Sequence, residues 1–230
     1  MKQTSIISIF LSILFFSCNE DETTLEYLYP TEIGNQWSYK LDMFKSDSLI
    51  FDQDYTIEIT GTKELNGYNC FVFEEQNETR KGEKYYTFSD NKFLYVGSNY
   101  SGYSPIFDIT TTQSNLRTKD DIFLFPADSC PIVYDYPLLD NKTWEYYPPV
   151  FTRIKEVIGD TIITVPAGTF QCKYICTTEN ERFTTKEFIN KDYGLIKKEL
   201  IVYTDVPGII NGIDSTKYID IHELVDYNIL

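Results

Sequence analysis

The chain has 230 residues, a formal net charge of −15 from 35 acidic against 20 basic side chains, and an aromatic content of 16% that includes 19 tyrosines. A surface this acidic repels nucleic acid and anionic lipid headgroups, so neither is expected as a partner. A single histidine and the lack of any Cys-x-x-Cys spacing argue against a zinc site, and no phosphate-cradling glycine loop or dinucleotide fingerprint occurs, so no metal or cofactor is expected.

Residues 1–17 read as an export signal. Lys2 gives a positive start, and Ile6 to Phe16 is an apolar run too short for a membrane span. Cys18 follows the small residue Ser17 at the end of that run. This placement resembles the lipobox of bacterial lipoproteins, which implies that Cys18 is lipidated and anchors the mature chain to a membrane. Residues 18–28 then form a polar tether opening on Asn19, Glu20, Asp21 and Glu22. An acidic cluster here resembles the export signal of surface-exposed lipoproteins in Bacteroidetes-type bacteria, which implies the outer membrane. Whether the domain is surface-exposed or faces the periplasm stays open.

From Trp37 the chain alternates in the manner of strands with one buried face. Trp37, Tyr39, Leu41 and Met43 oppose Ser38, Lys40 and Asp42, and Tyr55, Ile57 and Ile59 oppose Thr56, Glu58 and Thr60. Asn66-Gly67 predicts a tight hairpin into Cys70–Phe73, and Ser89-Asp90-Asn91 predicts another between Lys84–Phe88 and Phe93–Val96. Residues 98–135 lose the rhythm and read as a connection between halves. Beyond it, 144–147, 152–158 and 161–165 are strand-like, Pro166-Ala167-Gly168 turns the chain, and 182–189 and 195–203 form a further hairpin. The alternation over 217–229 favours a final strand that would place His222 and Asp220 on the solvent side, although Ile221, Leu224, Val225 and Asn228 would also suit one face of a helix.

One feature is written twice. Tyr29-Pro30 precedes Trp37-Ser38-Tyr39 at the same spacing as Tyr136-Pro137 precedes Trp144-Glu145-Tyr146, and these are the only two tryptophans. Proline fixes the entry angle and the rings anchor one face. The expected fold is all-β, with pseudo-repeated antiparallel halves at 29–97 and 136–203, forming an open barrel, a clam or a sandwich of ten to fourteen strands. The Gly-Asn-x-Trp-x-Tyr opening at 34–39, the Pro166-Ala167-Gly168-Thr169-Phe170 turn and Tyr193-Gly194-Leu195-Ile196-Lys197 together resemble a loosely defined group of exported, β-rich bacterial lipoproteins of uncharacterised function. That resemblance implies a fold and a location, and brings no catalytic residues.

Cys70, Cys130, Cys172 and Cys176 allow three full disulfide pairings, with buried free thiols as the other reading. Cys172 and Cys176 share a strand face about 13 Å apart, too far to bridge each other. No Gly-x-Ser-x-Gly elbow accompanies His222, so no catalytic residue is assigned. Asp52-Gln53-Asp54 and Asp120-Asp121 read as solvated loop charge. Tyr100, Tyr103, Tyr146 and Tyr147 are the candidate binding aromatics. The leading expectation is a non-enzymatic, outer-membrane-anchored lipoprotein that binds a ligand, a glycan or a protein partner. The alternatives are a cell-surface glycan hydrolase using carboxylates, and a structural component of envelope assembly.

Overall fold

The computed structural model describes residues 29–99, 122–147, 153–179, 183–205 and 215–230. The export signal, the tether with Cys18, and Tyr100 and Tyr103 lie outside them. The first half holds β1 (Gln36–Lys45), β2 (Ser48–Leu65), β3 (Tyr68–Asn77), β4 (Lys81–Ser89) and β5 (Lys92–Ser98). The connection carries β6 (Phe123–Leu124), a 3-10 turn at Ala127–Ser129 and β7 (Ile132–Asp135). The second half holds β8 (Thr143–Tyr147), β9 (Arg153–Val165), β10 (Gly168–Glu179), β11 (Phe183–Asn190) and β12 (Gly194–Asp205), and β13 (Ser215–Asn228) ends the chain.

These thirteen strands form one antiparallel sheet that does not close on itself. Each half is a five-stranded meander, because its hairpin turns force sequence neighbours to pair. Two-residue turns at Ser46-Asp47, Asn66-Gly67 and Asp90-Asn91 all have positive φ, the backbone whose twist suits a hairpin. β13 then runs between β12 and β1, pairing with both, and so joins the two meanders edge to edge.

The halves repeat at the level of single hydrogen bonds. In the first, Gly34 N donates to Ile59 O (2.8 Å), Ile59 N to Asn35 O (2.9 Å) and Asn35 N to Glu32 O (3.2 Å). In the second, Asn141 N donates to Val157 O (2.7 Å), Val157 N to Lys142 O (2.9 Å) and Lys142 N to Leu139 O (3.0 Å). Gly34 and Asn141 share the left-handed backbone that this turn needs. By this correspondence Trp37 matches Trp144 and Tyr39 matches Tyr146. Strand pairing then sets Ile57, opposite Trp37, against Lys155, opposite Trp144.

Inside the curl the first half packs aromatic on aromatic. Tyr29 stacks on Phe93 (5.4 Å), Trp37 on Phe73 (6.4 Å) and Tyr86 on Phe93 (5.3 Å). Two hydrogen bonds hold the halves face to face. Trp37 Nε1 donates to Tyr193 O (2.8 Å) and Tyr39 OH to Leu195 O (2.7 Å), both on the β11–β12 turn side of the other half.

All four cysteines of the domain are free. Burial destabilises their thiolates, pushing Cys70 up to about 11 and Cys172 up to about 12, and raising Cys130 and Cys176 as well. At pH 8 Cys70 and Cys172 are expected to react with Ellman's reagent at least about a hundredfold more slowly in the native protein than in denaturant, and Cys130 and Cys176 more slowly as well. Fewer than four thiols after denaturation would reveal a disulfide.

Candidate functional site

The site arises from a mismatch in strand length. β2 has 18 residues and β3 has 10. β2 pairs with β3 only from Tyr55 onward, whereas its pairing with β1 starts at Ser48. Residues 48–54 of β2 therefore run on past the end of β3 with a neighbour on one side. The step holds a cavity of about 600 Å3, inside the range of roughly 300–1,000 Å3 typical of small-molecule sites.

Leu41 and Met43 of β1 with Phe51 of β2 make its apolar wall, and Gln53, Gln76 and Asn77 supply carboxamides. The β3–β4 turn overhangs the cavity because Asn77 builds it. Asn77 Oδ1 accepts from Thr79 N (2.9 Å), Thr79 Oγ1 (3.1 Å) and Arg80 N (2.8 Å), which sets Glu78, Thr79 and Arg80 on the rim. Just outside, Leu49 and Ile50 join Phe51 in an exposed apolar run at the β1–β2 hairpin.

The floor is Tyr55, Glu75 and Asp220, and it opens onto a belt of buried charge. Glu75 Oε2 lies 3.0 Å from the Lys84 ammonium. Tyr55 OH shares a hydrogen bond of 3.2 Å with His222 Nδ1, and burial raises the Tyr55 phenol far above its ordinary value. His222 stands opposite Lys198, and Lys198 opposite Glu187. The Glu187 carboxylate meets the Lys155 ammonium at 2.6 Å, and both side chains are 1% exposed. Lys155 also lies over the rings of Tyr146 (4.5 Å) and Tyr134 (5.0 Å). Taking ions out of water costs several kcal/mol each, and a well-packed apolar replacement is often as stable. The first half uses that replacement, with Ile57 at the place of Lys155. The belt is therefore more than stability requires.

Several expectations are corrected here. As far as Leu224, β13 is in the opposite register to the one expected: Asp220, His222 and Leu224 face inward and His222 is 0% exposed, while a bulge at Val225 returns Tyr227 to the expected inner side opposite Trp37. Alternation sets the period of a strand but not its inner side, and this strand faces the charged belt rather than a greasy core. Asp52-Gln53-Asp54 sits in β2 rather than a loop, with Asp52 and Gln53 on the cavity. Tyr146 is packed in the interior against Lys155 and not presented at the surface. Tyr147 ends β8 opposite Arg153. Among the described residues no three His, Cys, Asp or Glu side chains converge as metal ligands would. The belt had a signal in the sequence: Lys84, Lys155 and Glu187 each lie two residues from an inward apolar residue, namely Tyr86, Val157 and Ile189.

A second concavity of about 480 Å3 lies between Pro137–Leu139 and the β11–β12 turn. Lys173 lies within it, bound to Asp140 (2.9 Å) and Asp160 (3.0 Å).

The geometry defines an open, meandering all-β protein with an aromatic-rich core, a belt of buried charge and a stepped cavity beside β2 and β3. No protein-family model and no curated relative matches the chain. Two solved structures are similar to it. One is a candidate lipoprotein from Parabacteroides distasonis, with 12% identity and a TM-score of 0.44 over 89% of this chain and 99% of that one. The other is a candidate exported protein with a YmcC-like fold from Bacteroides fragilis, with 13% identity and a TM-score of 0.42 over 88% and 99%. At these values neither structure assigns a role to any residue here.

Proposed function

We propose that the chain is a non-enzymatic lipoprotein of the bacterial outer membrane, anchored through Cys18, which binds a ligand in the cavity between the β1–β2 hairpin and the β3–β4 turn. The observation that carries this reading is the stepped cavity itself, with an apolar wall, a wall of carboxamides and a floor of buried polar groups. A site of this kind orients a ligand by a few polar contacts and holds it by apolar ones. The anchor and the address rest on the export signal and Cys18. Glu75 and Asp220, together on the cavity floor, favour a carboxylate-dependent glycan hydrolase as the second reading. Release of reducing ends from a glycan, abolished in Glu75→Gln and Asp220→Asn, would establish the hydrolase and retire the binding-only reading.

Cys18→Ala is expected to move the protein from the membrane pellet to the soluble fraction, as read by fractionation. Protease shaving of intact cells decides the side of the membrane. Fragments released from intact cells place the domain outside, and protection until the outer membrane is breached places it in the periplasm. A Cys18→Ala protein that stays in the pellet would overturn the anchor.

A further inference from the structure

We propose that the cavity takes a short neutral saccharide, an assignment that rests on reading it as a ligand site. A sugar hydroxyl donates and accepts at once, so a site for several of them needs both kinds of group in planar, orientable form. Gln53 and Gln76 offer carboxamides that make no hydrogen bond among the described residues. Asp52 and Glu78 add acceptors, and the Arg80 guanidinium adds donors. The C–H face of a pyranose needs an apolar platform, and Phe51 supplies one, 44% exposed beside Leu41 and Met43.

Charge selects within the class. The Lys84 ammonium balances Glu75 at 3.0 Å, but the rim carboxylates Asp52 and Glu78 outnumber Arg80 around the same space. The resulting negative field repels uronates and sulfated or phosphorylated sugars and tolerates neutral ones. A fatty chain is disfavoured because it would bury the carboxamides and carboxylates without partners. The volume of about 600 Å3 suits a di- or trisaccharide.

The test is isothermal titration calorimetry on the full-length protein in detergent. The probes are maltotriose, cellotriose and tri-N-acetylchitotriose as neutral trisaccharides, trigalacturonate as the acidic one, and palmitate and trilysine as non-saccharides. At least one neutral trisaccharide is expected to bind, trigalacturonate is not, and Phe51→Ala and Gln76→Ala are each expected to weaken binding roughly tenfold. Both positions are exposed, and unchanged far-UV circular dichroism verifies that the variants fold. Equal binding of trigalacturonate, or sugar binding that neither variant affects, overturns the assignment. Binding of palmitate or trilysine alone, lost in Phe51→Ala, overturns the saccharide class and leaves the ligand site standing. No binding by any probe overturns both.

Discussion

Raising the pH above about 10 is expected to unfold the protein over a narrow interval. Tyr39, Tyr55, Tyr86 and Tyr134 are buried and hold their phenol protons far above the ordinary value, chiefly because burial desolvates the phenolate. Tyr29 is raised by the same desolvation, with the charge of Glu75 next in weight. Once unfolded, all five ionise near pH 10. Above that pH the folded state binds more protons than the unfolded state, so stability falls as pH rises. The contribution is intact below the unfolded value and is lost on the way to the folded ones. Each group removes about 1.4 kcal/mol per unit of pH, and five together remove about 7 kcal/mol. A typical domain has only about 5–15 kcal/mol in total. Tyrosinate absorbance and far-UV circular dichroism, followed together from about pH 8 to pH 12, should show a late block of tyrosines ionising as the β signal disappears. Smooth ionisation of every tyrosine with the β signal intact would mean that these rings are not buried.

Lys155→Ile is expected to destabilise the protein by about 3–5 kcal/mol, because it leaves the buried Glu187 carboxylate without the ammonium at 2.6 Å. The stacking of that ammonium on Tyr146 and Tyr134 goes with it. Isoleucine is the informative replacement because Ile57 fills the corresponding place in the first half. Adding Glu187→Leu removes the stranded charge and should restore most of the loss, or exceed it. Urea denaturation of the wild type, the single variants and the double variant gives the comparison. A single-variant loss below about 1 kcal/mol would place the pair in the class of solvent-screened surface bridges.

Much of the fold was legible because its rules are local. Alternation of apolar and polar residues marked β1, β2 and β13 as strands, and Asn66-Gly67 and Asp90-Asn91 marked their turns by tolerating positive φ. The doubled Trp-x-Tyr marked the repeat, now visible in the matched bonds of Gly34 with Ile59 and Asn141 with Val157. The short strands β6 and β7 were not legible, since two and four residues are too few to show a period. Nor was the inner side of β13 before its bulge, where Ile219 and Ile221 look better suited to burial than Asp220 and His222, the two that face inward. The cavity was hidden for a related reason. Phe51, Gln53 and Tyr55 do alternate, but the acidic residues between them read as a loop, and nothing local says that β3 stops opposite Tyr55.

The sequence by itself determined an antiparallel all-β chain of two similar meanders, because turn chemistry and side-chain alternation act between near neighbours. Only the tertiary structure decided what lies inside. The pairing of β13 with β1 turns His222 toward Tyr55, 167 residues away in the chain, and the curl of the sheet brings Lys155 to Glu187. The step between β2 and β3 makes the cavity. Each depends on pairings and on relative strand lengths set by the whole sheet, and a polar residue at an inward position looks the same in sequence as one facing water.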